Sequence, residues 1–251
     1  MSGRTIPSWL LCLLLLPLAL AAQERADLVI RGGTLHDGSG GPGRKGDLAI
    51  RGERIVACGR LEGWRAPRRI DARGLIVCPG FIDLHTHCDK VDQERFKANL
   101  NYLRQGVTTV VTGNCGSGRT DVAAYFAALE RQGVGTNVIH LLPYGDLRRR
   151  AMGGRFDRPP TDAEMAEFAE RVGAGMAAGA WGLSTGLQYA PGAYATTGEI
   201  VRIARVVARR GGLYATHMRS EGWELLGAVE EAIAIGRRAG CPVHISHFKA
   251  S

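Results

Sequence analysis

Phe81-Ile82-Asp83-Leu84-His85-Thr86-His87 is an apolar run that closes on two histidines, and its reading decides the fold. In an extended strand alternate side chains share a face, so His85 and His87 are expected to point the same way from the strand's end. Working outward, further apolar runs stand at residues 108–112, 137–144, 181–187, 212–217 and 242–247. Segments of helical periodicity separate several of them, at 163–178, 199–210 and 222–239. Strands apolar on both faces and alternating with amphipathic helices indicate a parallel sheet covered by helices.

Such a sheet is either open and doubly wound or closed into a barrel. A nucleotide-binding open sheet would carry a Gly-rich phosphate loop after its first strand, and neither Gly-x-Gly-x-x-Gly nor Gly-Lys-Ser/Thr stands there. Polar residues instead collect at the C-terminal ends of several strands, where barrel enzymes assemble their sites. The expectation is therefore an α/β chain carrying a (β/α)8 barrel over 80–251, incomplete, with about six of its strands present. Unpaired strand edges in such a portion make it part of a longer product. Before it, residues 23–79 hold short strand-like runs at 27–30, 47–50, 54–57 and 75–78, parted by turns such as Asp37-Gly38-Ser39-Gly40-Gly41-Pro42-Gly43. These read as a small β-domain with a structural role.

Residues 1–22 read as a secretory signal. Arg4 precedes an uncharged stretch with a leucine-rich centre, and small residues Ala19, Ala21 and Ala22 close it. The run falls short of the ~20 apolar residues that span a bilayer. The mature protein is expected to be exported, to periplasm or exterior, without stable membrane insertion. The 45% hydrophobic and 22% charged composition of the full sequence is that of a globular chain. Its net charge of +8 comes with runs such as Arg148-Arg149-Arg150, Arg209-Arg210 and Arg237-Arg238, which read as solvated surface. Aromatics make up only 6%, with no aromatic–basic interleaving for stacking bases, so nucleic acid is not an expected partner. Cys58 and Cys78 lie among aliphatic residues and read as small core side chains. The cysteine spacing matches neither a disulfide scaffold nor paired Cys-x-x-Cys units.

Candidate metal ligands are His85, His87, Cys115, His217 and His247, each at or just beyond the end of an apolar run. His244 shares a run with His247 but lies farther from its end, and is read as support for it. A thiolate with imidazoles is a normal donor set for Zn²⁺, and a catalytic zinc keeps one position open for water. Zinc lowers that water's pKa from ~15.7 to ~7 and so supplies hydroxide at neutral pH. Hydrolysis of an amide or related bond follows.

Pro79 to His87 resembles the opening strand of the amidohydrolase superfamily. More narrowly, Thr112-Gly113-Asn114-Cys115-Gly116, the stretch from Gly182 to Gly192, Thr216-His217-Met218-Arg219-Ser220-Glu221-Gly222 and His244-Ile245-Ser246-His247-Phe248-Lys249 are similar to the D-aminoacylases, or N-acyl-D-amino-acid deacylases. The resemblance runs from about Asp27 to the last residue. It implies an N-terminal β-sandwich, a metal-bearing barrel, and removal of the N-acyl group from small-molecule N-acyl-D-amino acids. It further implies that Cys115, His217 and His247 hold a tighter zinc, with His85 and His87 at a weaker second position. Tyr189 and Lys249 match substrate-contacting positions, and a cation at Lys249 suits a substrate carboxylate. Arg219 is a further candidate for that anion. Tyr144 stands where the family commonly has a third-strand histidine. The family's general acid–base aspartate lies on a later strand, beyond Ser251, so no catalytic carboxylate is assigned within the chain. The rival readings are an amidohydrolase acting on a cyclic amide or dipeptide, and a non-catalytic secreted metal-binding fragment.

Overall fold

The computed structural model describes residues 24–250, so the leader expected over 1–22 lies outside them. The chain divides into two units at Pro79–Gly80.

The first unit is one five-stranded sheet. Strands β1 (Leu28–Leu35), β2 (Arg44–Arg51) and β3 (Arg54–Gly59) form an antiparallel meander. Two short strands, β4 (Arg68–Asp71) and β5 (Ile76–Val77), run parallel to β1. Ala26, Val29, Ala49 and Leu61 form its buried cluster. Asp47 clamps the meander: it takes Arg31 Nη1 at 2.7 Å, the Gly32 amide at 2.8 Å and the Leu61 amide at 3.3 Å. The described residues form one layer, not two. An apolar groove of about 750 Å³, lined by Leu35, Leu48, Ile55 and Val77 among others, stays open in this unit. For the same reason Cys58 and Cys78 are exposed, not the core residues their aliphatic neighbours suggested.

The second unit alternates strands and helices. Its strands are β6 (Phe81–Asp83), β7 (Val107–Thr112), β8 (Asn137–Pro143), β9 (Gly182–Gly186), β10 (Leu213–His217) and β11 (Val243–Ile245). The helices are α1 (Leu100–Leu103), α2 (Val122–Gln132), α3 (Tyr144–Ala151), α4 (Asp162–Ala177), α5 (Thr197–Ala208) and α6 (Leu225–Ala239). All strand pairs are parallel, and each strand lies beside the next in sequence. A doubly wound sheet would reverse its order at a switch point; a barrel wall does not. The two edge strands also meet across one cleft of about 500 Å³, lined by Phe81, Ile82, His85, His244, Ile245 and His247. The sheet is curled, as in a partial barrel.

Residue parity sorts the core. On β8, Leu142 packs with the helices while Leu141 packs with Val111 and Ala215 on the other face. On β10, Tyr214 joins the helix-side cluster, so Ala215, and by the same alternation His217, belong to the inner face. Helix starts are written in the sequence: Thr161 and Glu164 form a reciprocal capping box on α4, and Thr196 caps α5 through the Glu199 amide. One expectation fails in the helix layer. Arg148, read as solvated, is fully buried and pairs with Glu199 at 2.7 Å. Tyr144, which departs from the family's third-strand histidine, is also fully buried; its hydroxyl donates to Glu199 at 2.5 Å and its ring packs against Phe168.

Candidate metal centre

The wall of parallel strands brings several strand ends to one place. β6 stops at Asp83, so His85 and His87 follow it in irregular chain, and strict alternation does not govern them. Their rings meet edge to face, with centroids 5.3 Å apart. His85 is half-buried and His87 exposed. The Asp83 carboxylate accepts the His85 amide at 3.1 Å and shapes this turn.

Cys115 follows β7 in a turn of left-handed backbone, φ 54° at Cys115 itself and 77° at Gly113. Only glycine fits at Gly113, because a Cβ there would lie 2.0 Å from the Leu141 carbonyl oxygen. The turn is pinned from three sides. Ser184 on β9 donates to the Gly113 carbonyl and accepts the Gly116 amide at 3.0 Å. Asp89 accepts the Gly113 amide at 2.7 Å, and Asn114 donates to the Val111 carbonyl at 2.9 Å.

These pieces place four donor atoms together. Cys115 Sγ lies 3.5 Å from His85 Nε2, 3.8 Å from His217 Nδ1 and 3.9 Å from His247 Nε2. His85 Nε2 and His247 Nε2 are 3.1 Å apart. A tetrahedral zinc, with its ordinary bond lengths to sulfur and nitrogen, separates S and N ligands by about 3.5 Å and N and N by about 3.3 Å. His85, Cys115 and His247 lie close enough together to share one such ion, while His217, 3.8 Å from the thiol, groups with Glu221 and His247. His87 stands one ring farther out, and His244 lines the cleft beside His85.

The outer nitrogens are also fixed. His217 Nε2 donates to Gln188 Oε1 at 2.8 Å, which turns the Nδ1 lone pair toward Cys115. His247 Nδ1 donates to Glu221 Oε1 at 2.9 Å, which turns its Nε2 lone pair the same way. His85 Nδ1 is buried without a hydrogen-bond partner among the described residues. Burial, then the neighbouring His247 and His87, holds the His85 imidazole down to about 4, so it stays neutral. Burial likewise lowers His217. Burial, and then the negative charge of Glu221, pushes the Cys115 thiol up to about 11. A thiolate here needs a cation beside it, which is what a bound metal provides.

Glu221 and Gln188 were not singled out in the sequence. Glu221 is only 4% exposed, and together with His217 and His247 it forms a second group of donors close enough to share an ion. Its signal was available: an acid four residues beyond a candidate ligand. The substrate candidates divide. Tyr189 is exposed, its ring centroid 4.7 Å from that of His217. Lys249 Nζ meets Glu221 Oε2 at 2.5 Å. Arg219 is committed elsewhere: its guanidinium holds Glu231 through two bonds of 3.0 Å and donates to the carbonyls of Ala193 and Ala195. The anion that Arg219 meets here is Glu231, where a substrate carboxylate was the expectation.

A parallel barrel wall with a thiol–imidazole cluster at its strand ends defines a metal-site barrel of the hydrolase type. The chain belongs to the amidohydrolase family, whose pattern it matches over residues 68–250. It is 44% identical over 250 residues to the N-acyl-D-glutamate deacylase of Alcaligenes xylosoxydans xylosoxydans, covering 90% of this chain and 51% of that protein. A crystal structure of D-aminoacylase superposes with a TM-score of 0.84 at 37% identity, covering 90% of this chain and 52% of that one. The N-acyl-D-glutamate deacylase of Bordetella bronchiseptica, solved with zinc and a phosphonate mimic of the tetrahedral intermediate, superposes with a TM-score of 0.82 at 40% identity, covering 88% of this chain and 51% of that one. The chain spans about half the length of the curated relatives it matches.

Proposed function

We propose that this protein is a zinc-dependent hydrolase that removes the N-acyl group from N-acyl-D-amino acids. The observation that carries the reading is the convergence of Cys115, His85, His217 and His247, with S···N distances of 3.5 to 3.9 Å, at the strand ends of an amidohydrolase barrel wall. Similarity to deacylases of N-acyl-D-amino acids supports the substrate class. Bound among these donors, zinc would supply hydroxide at neutral pH and polarise the scissile carbonyl. Gln188 and Glu221 keep the imidazole lone pairs of His217 and His247 aimed inward. Exposed Tyr189 and the Lys249 ammonium lie beside the cluster, suited to the acyl-amino acid's polar end. The proton carried to the leaving amine is assigned to a carboxylate on a later strand, as the family resemblance implies.

The same reading completes the architecture. The cleft between β6 and β11 suits further barrel strands, and the open apolar groove of the first unit suits a second sheet layer. Arg4 and the apolar stretch behind it support export, which N-terminal sequencing of the mature product checks. The test of function is a hydrolysis panel on the zinc-loaded gene product with N-acetyl-D-, N-acetyl-L- and cyclic amide substrates. Turnover of the D series is expected; turnover confined to L or cyclic substrates would replace this reading with another amidohydrolase activity.

A further inference from the structure

We propose that Glu221 is a positioning residue that ties metal binding to recognition of the substrate carboxylate, orienting His247 through one carboxylate oxygen and Lys249 through the other. The inference rests on the deacylase reading for the identity of the anion, and on the geometry for everything else. Oε1 takes the His247 Nδ1 proton at 2.9 Å, and Oε2 takes the Lys249 ammonium at 2.5 Å. Glu221 is 4% exposed, whereas the side chains of its partners are 23% and 52% exposed. A buried anion is thus the fixed point, and two more accessible groups are held against it.

The backbone is bent to allow this. His247 and Phe248 adopt left-handed conformations, φ 62° and 40°, which curl the chain so that residues 247 and 249 both reach the same carboxylate. With Nδ1 bound to Glu221, His247 presents an unprotonated Nε2 to the Cys115 side. Lys249 has three N–H donors, and the pair with Glu221 fixes where the others point. A substrate carboxylate therefore meets a cation whose place is set by the same residue that sets a metal ligand. Loss of Glu221 should weaken both interactions together, and loss of Lys249 only one.

Two binding measurements on the gene product test this without relying on turnover. The first is zinc affinity by chelator competition. The second is calorimetric binding of N-acetyl-D-methionine and of its amide, which lacks the carboxylate, to the metal-free protein. Glu221→Ala is expected to weaken zinc by about 10–100-fold, the usual effect of removing a partner of a ligating histidine. Glu221→Gln keeps an acceptor for His247 but no anion for Lys249; it should weaken the acid about tenfold and leave the amide unchanged. Lys249→Met should erase the preference for acid over amide with zinc affinity intact, and Glu221→Gln added to it should do nothing more to acid binding. Unchanged zinc affinity in Glu221→Ala overturns the proposal, as does an equal loss of acid and amide in Glu221→Gln. Wild-type protein that binds acid and amide equally overturns the Lys249 half. Failure of the zinc-loaded wild type to hydrolyse any N-acyl-D-amino acid removes the deacylase reading alone, because neither measurement depends on turnover.

Discussion

His85 shows how one buried side chain writes a pH dependence into the metal-free protein. Its imidazole is held down to about 4, first because burial disfavours the charged ring and then because His247 and His87 lie beside it, against 6.5 in an unfolded chain. Between those values the unfolded chain binds the proton and the folded one does not, so folding stability falls as pH drops through that window. Above about 6.5 both states are neutral and His85 adds no slope. Urea midpoints of chelator-treated protein should fall between pH 7.5 and pH 5, and less so in His85→Asn. An equal fall in the variant would assign the effect to other groups, such as His217, which burial also lowers. Residue identity was enough to nominate His85, Cys115, His217 and His247. It could not distinguish Lys249, held by a buried carboxylate beside the cluster, from Arg219, held by Glu231 away from it, because both are cations two residues beyond a histidine.

At the scale of elements, the helix layer is held by a charged knot as well as by apolar packing. Arg148 on α3 is fully buried against Glu199 on α5, and also donates to the carbonyls of Phe156 and Arg158. Tyr144 adds its hydroxyl to the same Glu199 oxygen. Removing one member of a buried pair leaves the other charged and unpaired, so Arg148→Met should cost roughly 3–5 kcal/mol. Tyr144→Phe removes one hydrogen bond and should cost about 1 kcal/mol. Urea denaturation of both variants checks the ranking; a solvated Arg148 would give a cost near zero. Hydropathy reads Arg148-Arg149-Arg150 as surface because it sees three charges in a row, while the helix turns one of them inward to an acid some fifty positions away, |i−j| = 51.

For the whole molecule, the donors come from chain segments far apart in sequence, with Cys115 and His247 separated by 132 positions. A metal bridging them therefore restrains the fold as well as the site. At zinc a hundredfold above its dissociation constant, binding only to the folded state stabilises it by about 2.7 kcal/mol. Chelation should then lower the melting temperature by roughly 5–10 °C for a unit of this size. Cys115→Ser should melt lower and respond little to the chelator, with reduced zinc content; an unchanged response would remove Cys115 as a ligand. The sequence by itself determined the alternation of apolar strands and amphipathic helices, because periodicity is local, and it nominated the thiol and imidazoles because they close apolar runs. Only the tertiary structure decided that β6 ends before its histidines, that the first unit's described residues form one sheet, and that Glu221 joins His247 to Lys249. Those outcomes depend on which distant segments meet, and a carboxylate's partner is set by that meeting and not by its neighbours in the chain.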